Sequence, residues 1–392
     1  MVQAASLFTQ LLQHFPRLEF ASLVNKHKAE HSAKGFACWT QFVAMLFCQL
    51  AHADSLREIC NGLACAEGKL THLGIADAPN KSTLSYANQR RPAVLFEDLF
   101  YTSLNRFREQ EGLGSRKARF RFKNKLLSLD STTISLCLEL FPWAQFRRAK
   151  GGVKAHVLLD HDDYLPSYVL LTEAKRSDVR VAQSLDLNAG SIVAMDRGYN
   201  DYQLFGKWTD RGVFFVTRLK DNAAYKVLAS TAPDLLPRNI RADEIIVFTG
   251  AQAFDDCPHA LRRVVVWDEA NQREIVLLTN LLEFGATTIA KIYKDRWEIE
   301  LFFKALKQNL KVKTFVGTSQ NALLIQIWTA LIAILLLKWM HHLSKANWSF
   351  SNLASMLRMN LFTYRDLRRW LDRPYGTPPE VPPAEQLTLA LG

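Results

Sequence analysis

The 392-residue chain has few of the features that identify small, metal-stabilised or exported proteins. Its six cysteines are scattered, and only Cys60 and Cys65 lie close together, with no histidine pair nearby at zinc-finger spacing. We therefore expect buried free thiols in a reducing cytoplasm. The first residues, MVQAASLFTQ, lack the basic and apolar regions of a secretory signal. These absences argue against a disulfide-rich secreted protein and against a zinc finger.

Long apolar runs are also scarce. Only the segment 322–340, ALLIQIWTALIAILLLKWM, is long enough to suggest a membrane span. Gln326 and Thr329 interrupt it, and no second span accompanies it. A helix buried between the layers of an α/β domain has the same pattern, and we interpret the segment as such a core helix.

Acidic residues are outnumbered by basic ones, which bears on the partner. The chain has 49 Lys and Arg against 38 Asp and Glu, a formal net charge of +11 and a pI near 9.3. This excess favours a polyanionic partner, most commonly nucleic acid, although a membrane surface or no specific partner stays open. The length and the composition, 48% hydrophobic and 22% charged, indicate a folded protein of two or three domains.

Residues 1–120 predict an all-helical domain. Apolar residues recur at helical spacing from residues 6, 38, 55 and 93 onward, with Pro and Gly between these segments. The segment 78–92, APNKSTLSYANQRRP, predicts a short helix with a polar, basic surface. It resembles the second helix of a helix-turn-helix unit, and a solvated helix on a bundle explains it equally well. Its candidate DNA contacts are Lys81, Arg90 and Arg91.

The pattern changes after the basic connector 112–125. Short apolar or alternating runs from residues 126, 151, 167 and 191 predict strands, and residues 176–187 between the last two predict a helix. Strands that pair as a meander and are then joined through a helix indicate an α/β domain with a mixed sheet.

More strand-like runs follow and include a predicted hairpin over 261–281 with the turn DEANQ. We interpret residues 205–283 as a β-rich insertion within a domain of residues 121–340. Residues 341–392 predict two short helices and a disordered Pro-rich tail.

Two acidic residues end apolar strands. Asp130 closes KLLSLD and Asp196 closes SIVAMD, at the rim of a sheet where α/β proteins build sites. A single such acid is usually a turn residue, but Glu300, on a later helix, supplies a third carboxylate. Three carboxylates suit two Mg²⁺ or Mn²⁺ ions, which support phosphoryl transfer without a side-chain nucleophile. Asp130, Asp196 and Glu300 are therefore the predicted catalytic residues and metal ligands.

The segment 292–310, IYKDRWEIELFFKALKQNL, predicts one amphipathic helix. Its polar residues at offsets of zero, three, seven and fourteen fall within an arc of about 60°. These are Tyr293, Arg296, Glu300 and Lys307. A solvated face with an Arg296–Glu300 ion pair explains the helix taken alone. Beside a metal centre, Tyr293, Arg296 and Lys307 would instead contact phosphates along a DNA strand.

Four sequence blocks, in order, resemble one family. The pattern Y-x-x-R-x-x-x-E-x-x-x-x-x-x-K is matched by Tyr293, Arg296, Glu300 and Lys307. DSTT at 130–133 and DRGY at 196–199 resemble the first two acidic blocks, and GGVKAH at 151–156 resembles the G-x-K-x-H strand. Over about 120–340 the chain is thus similar to the bacterial insertion-sequence DDE transposases of the IS-four type.

The resemblance implies an RNase H-like core interrupted by a β-rich insertion, preceded by a helical domain that binds DNA ends. It implies dependence on Mg²⁺ or Mn²⁺ and recognition of terminal inverted repeats. It also implies cut-and-paste transposition by a homodimer that cleaves in trans, in the bacterial cytoplasm at the nucleoid. Several relatives form a hairpin intermediate and flip a base onto an aromatic side chain. Trp297 occupies the family's frequent tryptophan position, and Trp267 is a candidate for the second one.

Other polar residues near these blocks have less specific interpretations. Lys154 and His156, on one face of a strand, support the first Asp, contact DNA or form a solvated face. Arg197 and Tyr199 are expected to shape the turn after the second Asp. A polar hairpin turn, rather than a metal cluster, is expected from Asp160, Asp162 and Asp163.

Two other functions remain compatible with the sequence. A metal-dependent nuclease shares the three carboxylates and differs only in never joining strands. A DNA-binding regulator built on the N-terminal helices would need none of the three acids. An inactive transposase is a third possibility, although every motif residue is intact.

Overall fold

The computed structural model describes residues 5–31, 35–66, 68–114, 119–137, 139–147, 150–312 and 314–376, with the backbone alone at 145–147 and 150. The chain forms two compact units. One comprises residues 1–113 and 305–392, and the other comprises residues 114–304.

Fourteen α-helices occur in the described part of the chain, several of them started by a side-chain cap. Ser55 accepts the backbone N–H of Glu58 at 3.2 Å, and the Glu58 carboxylate accepts the N–H of Asp54 at 2.8 Å. The helices are α1 Leu7–Leu12, α2 Arg17–Lys26, α3 Cys38–Ala51, α4 Leu56–Ala64, α5 Lys81–Arg90, α6 Val94–Gln110, α7 Asp178–Ser184, α8 Tyr202–Asp210, α9 Ala251–Asp256, α10 Ala286–Asp295, α11 Glu298–Asn309, α12 Gln320–Leu343, α13 Phe350–Asn360 and α14 Leu367–Asp372.

The apolar helix α12 is the core of the helical unit. It packs against α3, α5, α6 and α13, and 89% of its most apolar 18-residue stretch is buried. Its buried Gln326 donates to the carbonyls of Lys311 (2.7 Å) and Thr314 (2.8 Å), so this polar side chain is satisfied inside the unit. The predicted core helix is confirmed. Because α12 packs with the N-terminal helices, the compact units divide differently from the predicted limits at 120 and 340.

The ten strands that the structure describes in the second unit belong to one mixed sheet. They are β1 Leu126–Leu136, β2 Gln145–Arg147, β3 Lys150–Asp160, β4 Leu165–Glu173, β5 Ile192–Met195, β6 Phe214–Arg218, β7 Tyr225–Ser230, β8 Ile240–Phe248, β9 Leu261–Asp268 and β10 Arg273–Thr279. Their order is β2-β3-β1-β5-β6-β10-β9-β8-β7, and β4 pairs with β3 beside β2.

The pairing confirms the predicted mixed-sheet α/β fold. β1, β3 and β4 form an antiparallel meander, whereas β5 runs parallel to β1 and β6 runs parallel to β5. This arrangement is that of an RNase H-like core. β10, β9, β8 and β7 then extend the same sheet in antiparallel order, and the predicted hairpin is present as β9–β10, with Asp268 opposite Arg273.

Successive side chains of β1 point to opposite faces of the sheet, and different helices cover the two faces. Leu127 and Leu129 pack on the face covered by α7 and α8. Leu126 packs on the other face, with Ile289 and Ile292 of α10. Since side chains alternate along a strand, Asp130 and Leu126 point to the same face as α10.

Several local predictions need correction. The segment 292–310 is two helices, α10 and α11, separated at Arg296–Trp297. Helices α2, α8 and α9 and strands β2 and β7 were not predicted. Four of the cysteines are buried as expected, but Cys65 and Cys137 are exposed. The two predicted C-terminal helices are present as α13 and α14, and the Pro-rich tail from residue 377 onward lies outside the described residues.

Candidate active site

The sheet brings the first two predicted acids to neighbouring positions. Leu129 of β1 is paired in parallel register with Met195 of β5. Asp130 and Asp196 are the residues that follow this pair, and neighbouring strands lie about 4.8 Å apart. Asp130 therefore lies next to Asp196, at the carboxyl end of β5 where the chain turns away. Asp196 follows the end of its strand as predicted, but the prediction that a strand ends at Asp130 is wrong, because β1 continues to Leu136 in its pairing with β3.

Asp130 carries a perturbed carboxyl group. Burial raises its pKa to about 6, the Ser131 N–H and the Arg296 charge act against that rise, and the charges of Glu300 and Asp196 add to it. The Ser131 N–H donates to Asp130 Oδ1 at 2.7 Å. The effects of Glu300 and Asp196 on Asp130 indicate that the three acids lie close together.

Asp196 is held by an arginine of the adjacent strand. The Arg218 guanidinium donates to Asp196 Oδ1 at 2.7 Å. Burial raises the pKa of Asp196, but the Arg218 hydrogen bond, the Arg197 N–H and the charge of Arg296 outweigh burial, so its pKa is lowered. Near pH 6 Asp196 is therefore ionised, whereas about half of the Asp130 carboxyl groups are protonated.

Arg296 joins the third acid to the first. Its Nη2 donates to Glu300 Oε1 at 3.0 Å, and its Nη1 lies 3.8 Å from Asp130 Oδ2. The guanidinium is 9% exposed, and its Nε and Nη1 have no hydrogen-bond partner among the described residues. Arg296 therefore bridges Asp130 and Glu300 and still has N–H groups available for an anion.

The interruption between α10 and α11 changes the predicted arrangement of the four polar residues. Tyr293 and Arg296 lie at the end of α10, with the Arg296 guanidinium 5.5 Å from the centre of the Tyr293 ring. Glu300 lies in the first turn of α11, and Lys307 is half-buried in its last turns. The predicted single lane on a continuous helix is wrong, because the Ile299 and Glu300 N–H groups bond three residues back, to Arg296 (3.1 Å) and Trp297 (3.0 Å).

Trp297 occupies the turn between these helices and is 55% exposed. An exposed tryptophan beside three acids is unusual for packing and is available for contact with a ligand. Trp267, the other predicted tryptophan, is on β9 with the Arg241 guanidinium 5.5 Å from its ring centre. Its predicted role remains a prediction.

The donor set suits a hard divalent ion. All three groups are carboxylates, the ligand type that Mg²⁺ and Mn²⁺ prefer, and their shared negative charge requires compensation. In the present arrangement Arg218 and Arg296 bind Asp196 and Glu300. Among the described residues no three His, Cys, Asp or Glu side chains are placed to hold one ion. Donor chemistry therefore fits a divalent metal, with the carboxylates presently engaged by arginines.

Lys154 and His156 belong to a second polar group, centred on Asp178, which sequence reasoning missed. Lys154 Nζ lies 3.2 Å from Asp178 Oδ2, and the fully buried His156 donates to or accepts from Thr172 Oγ1 at 3.0 Å. His156 Nδ1 is 3.3 Å from Asp178 Oδ1, close enough for an ion pair but poorly aligned for a hydrogen bond.

Burial raises the pKa of Asp178, but the nearby His156, Ser131 and Lys154 side chains lower it to about 2. The interpretation of this strand as a solvated face is therefore wrong. Lys154 binds Asp178 instead of presenting its ammonium to solvent, which corrects its predicted DNA contact. Asp178 directly follows Ser177 at the start of α7, and this capping position was the available signal.

Two further expectations hold. Arg197 and Tyr199 form a 3-10 turn after Asp196, with Tyr199 buried, so the turn-shaping interpretation is confirmed. The three acids of the β3–β4 connection form a polar turn: Asp160 accepts the Asp162 N–H at 3.0 Å, and Asp163 accepts the Leu165 N–H at 2.9 Å.

The predicted DNA-contacting helix exists as α5, and the two arginines at its end differ in exposure. Lys81 and Arg90 are exposed, and the Arg90 guanidinium lies 4.4 Å from the centre of the Tyr86 ring. Arg91 is 8% exposed, donates to Gln41 Oε1 at 3.2 Å and also bonds the Phe36 carbonyl. Its burial gives Arg91 a structural role and corrects the predicted DNA contact. Residues 65–80 separate α4 from α5, far more than the short turn of a compact helix-turn-helix.

Comparison with known proteins agrees with this geometry. Residues 121–336 match the family described as Transposase DDE domain, and residues 3–76 match a domain of unknown function, DUF4372. A protein of Sinorhizobium fredii that carries the name transposase y4zB is 31% identical over 302 residues, which are 76% of this chain and 81% of that protein.

Two further similarities are weaker in coverage or in sequence. A transposase for the insertion sequence element IS5377 of Geobacillus stearothermophilus is 34% identical over 232 residues, 57% of this chain and 59% of that protein. The cryo-EM structure of a piggyBac transposase synaptic complex with hairpin DNA covers 93% of this chain and 82% of its own, at 10% identity and a TM-score of 0.45. That structural similarity is too low to support an argument.

Proposed function

The chain belongs to the family of the transposase DDE domain, and from that premise we propose that Asp130, Asp196 and Glu300 are its catalytic residues. The chain is a DNA transposase. We propose that it binds the terminal inverted repeats of its insertion sequence, cuts the DNA there and joins the ends to a target. The observation that carries this proposal is the electrostatic coupling of the three carboxylates around Arg296.

Members of this family are generally dependent on a divalent metal. We propose that Asp130, Asp196 and Glu300 hold two Mg²⁺ or Mn²⁺ ions. When bound, such ions activate the attacking oxygen and stabilise the leaving oxygen of a phosphoryl transfer. Glu300 would then exchange part of its bond to Arg296 for the metal, which releases the guanidinium toward a DNA phosphate.

The residues around the carboxylates orient the DNA in this proposal. Arg296 Nε and Nη1 have no hydrogen-bond partner among the described residues and are buried, so in this proposal they bind a phosphate once Glu300 releases the guanidinium. Tyr293 and Lys307 would bind neighbouring phosphates. The exposed Trp297 would stack on a base near the cut, and a hairpin intermediate follows only if that base leaves the duplex.

DNA-end recognition is assigned to the helical unit. The exposed polar surface of α5, with Lys81 and Arg90, is the proposed contact, because its buried residues Leu84, Ala87 and Asn88 all face the unit's interior. The net charge of +11 supports a polyanionic partner. We further propose that two copies of the chain assemble with two DNA ends, in the bacterial cytoplasm at the nucleoid.

The decisive experiment compares the wild type with Glu300→Gln on a linear duplex that carries the element's own end, with Mg²⁺. Glu300→Gln keeps the shape and removes the charge. We expect a loss of cleavage of more than about 100-fold, above the range typical of residues that only support a ligand, with DNA still bound. Exposed Glu283→Gln is the matched control and keeps cleavage.

The outcomes separate the alternatives. Cleavage at the repeat boundary followed by joining to a supercoiled target supports the transposase. Cleavage without joining identifies a nuclease, and specific binding without cleavage by the wild type identifies a DNA-binding regulator. Equal cleavage by wild type and Glu300→Gln overturns the assignment of Glu300.

A further inference from the structure

A buried chain of polar side chains crosses from the central strand to the end of α10. Ser128 Oγ lies 2.6 Å from His161 Nε2, and His161 Nδ1 lies 2.7 Å from Asp295 Oδ2. Ser128 is fully buried, and the side chains of His161 and Asp295 are 5% and 3% exposed. These three residues, called the buried relay here, come from β1, the β3–β4 turn and the last residue of α10.

Further contacts hold Asp295 and His161 of the buried relay in place. The Arg119 guanidinium pairs with Asp295 Oδ1, and the Tyr164 hydroxyl lies 3.5 Å from Asp295 Oδ2. The backbone N–H of His161 donates to the Leu126 carbonyl at 3.1 Å, so the β3–β4 turn is also bonded to β1 through its backbone. Each ring nitrogen of His161 thus has its own partner: Nδ1 contacts the Asp295 carboxyl group and Nε2 contacts the Ser128 hydroxyl.

The order Ser–His–Asp also occurs in hydrolases, but nucleophilic catalysis does not fit here. The Ser128 side chain has no exposed surface, so no substrate reaches its hydroxyl. A buried carboxylate needs partners, and Asp295 finds them only if the end of α10 stays near His161 and Arg119. The relay therefore constrains where α10 ends.

The two ends of the relay lie beside the proposed catalytic residues. Ser128 is two residues before Asp130 and on the same face of β1, because side chains alternate along a strand. Asp295 directly precedes Arg296, where the helix is interrupted before α11. No proline or glycine lies at this interruption, and Asp295 is buried there against His161 and Arg119.

We propose that the buried relay Ser128–His161–Asp295 is a positioning device that fixes the α10–α11 junction against β1. It thereby holds Arg296 and Glu300 beside Asp130. This inference rests on the proposed function for its catalytic consequence, but the positioning itself is a property of the 114–304 unit.

The test uses three variants of the full chain. His161→Phe keeps a buried ring and removes both hydrogen bonds. His161→Asn keeps a donor near the Nδ1 position and so retains the bond to Asp295. His259→Phe is the matched control, because His259 pairs with Asp210 at 2.9 Å in the same unit, outside the relay.

Two measurements are made on each variant. Hydrogen–deuterium exchange of peptides covering 290–303 reports the order of the α10–α11 junction without DNA or metal. Cleavage of the element-end duplex across a Mn²⁺ titration reports the half-saturating Mn²⁺ concentration. We expect His161→Phe to lose protection in 290–303 and to need about 10- to 100-fold more Mn²⁺, as is typical when a support of a metal ligand is removed. His161→Asn should recover most of both, and His259→Phe should match the wild type.

Wild-type exchange and Mn²⁺ dependence in a folded His161→Phe would overturn the proposal. If His161→Phe does not fold, Ser128→Ala decides, since it removes one bond only and should loosen 290–303 in the same direction; unchanged exchange there would overturn it as well. If the wild type cleaves no DNA, the proposed function fails, whereas the exchange data still decide whether the relay positions the junction.

Discussion

The burial of Asp130 beside two further carboxylates predicts that the proposed catalytic site lowers the stability of the metal-free protein. Burial, with added repulsion from Glu300 and Asp196, raises the pKa of Asp130 from 3.8 to about 6. A shift of this size corresponds to about 3 kcal/mol of preference for the neutral carboxyl in the folded state. Because the folded pKa lies above the unfolded one, the stabilisation is complete below pH 4 and is lost as the pH rises through about 6.

Asp130→Asn should therefore stabilise the metal-free protein at pH 8. The amide resembles the neutral carboxyl in shape and carries no charge, so the variant should gain up to about 3 kcal/mol at pH 8 and little at pH 4. Scanning calorimetry in EDTA measures this, and the transition that shifts belongs to the 114–304 unit. Exposed Asp234→Asn is the control and should not shift it.

Divalent metal should remove most of this difference in stability. A ligand at 100 times its dissociation constant adds about 2.7 kcal/mol to a protein that binds it only when folded. Mn²⁺ should thus raise the transition temperature of the wild type at pH 8 and leave that of Asp130→Asn nearly unchanged. Equal stability of the two proteins at pH 8 in EDTA, or a gain that is the same at pH 4 and pH 8, would refute the reasoning.

The remaining predictions concern the two arginines of α5 and the polar group beside the site. Arg90→Ala should weaken binding to all DNA sequences alike and lower the salt slope by about one, measured by fluorescence anisotropy, with no change in thermal stability. Arg91→Ala should instead cost about 1–3 kcal/mol of stability, because the buried Gln41 Oε1 loses the hydrogen bond from Arg91; the reverse pattern would show that the two roles are exchanged. Asp178→Asn should cost up to about 2 kcal/mol at pH 7, because the folded pKa of about 2 lies below 3.8. That loss should shrink as the pH falls from 4 to 2 in urea unfolding, and Lys154→Met should reproduce part of it; a loss independent of pH would contradict the assignment.

Much of the fold followed from short-range patterns. Alternation and apolar runs identify β1, β5 and the β9–β10 hairpin, since each strand's own residues must cover a pleated, buried surface. The strand patterns likewise place Asp130 on β1 and Asp196 directly after β5, although Asp130 lies in the middle of β1 because the pairing of β1 with β3 continues to Leu136. The mixed order of the sheet also follows, because a meander joined through a helix leaves few ways to pair the strands.

Other features depend on contacts between residues far apart in the chain. The helical pattern of 292–310 is continuous in sequence, yet the helix is interrupted at Arg296–Trp297. The residue before this interruption, Asp295, bonds to His161 from another element. Arg90 and Arg91 are indistinguishable as letters, yet one is exposed and the other is buried against α3.

The sequence by itself therefore determined most strands of the core and which strands and helix carry its three acids, because these elements follow from local periodicity. Only the tertiary structure decided which charged side chains from distant parts of the chain meet: Arg296 with Asp130, Arg218 with Asp196, and Asp178 with Lys154. The physical reason is that burying a charge requires a partner, and the partner is supplied by whichever element the fold brings alongside.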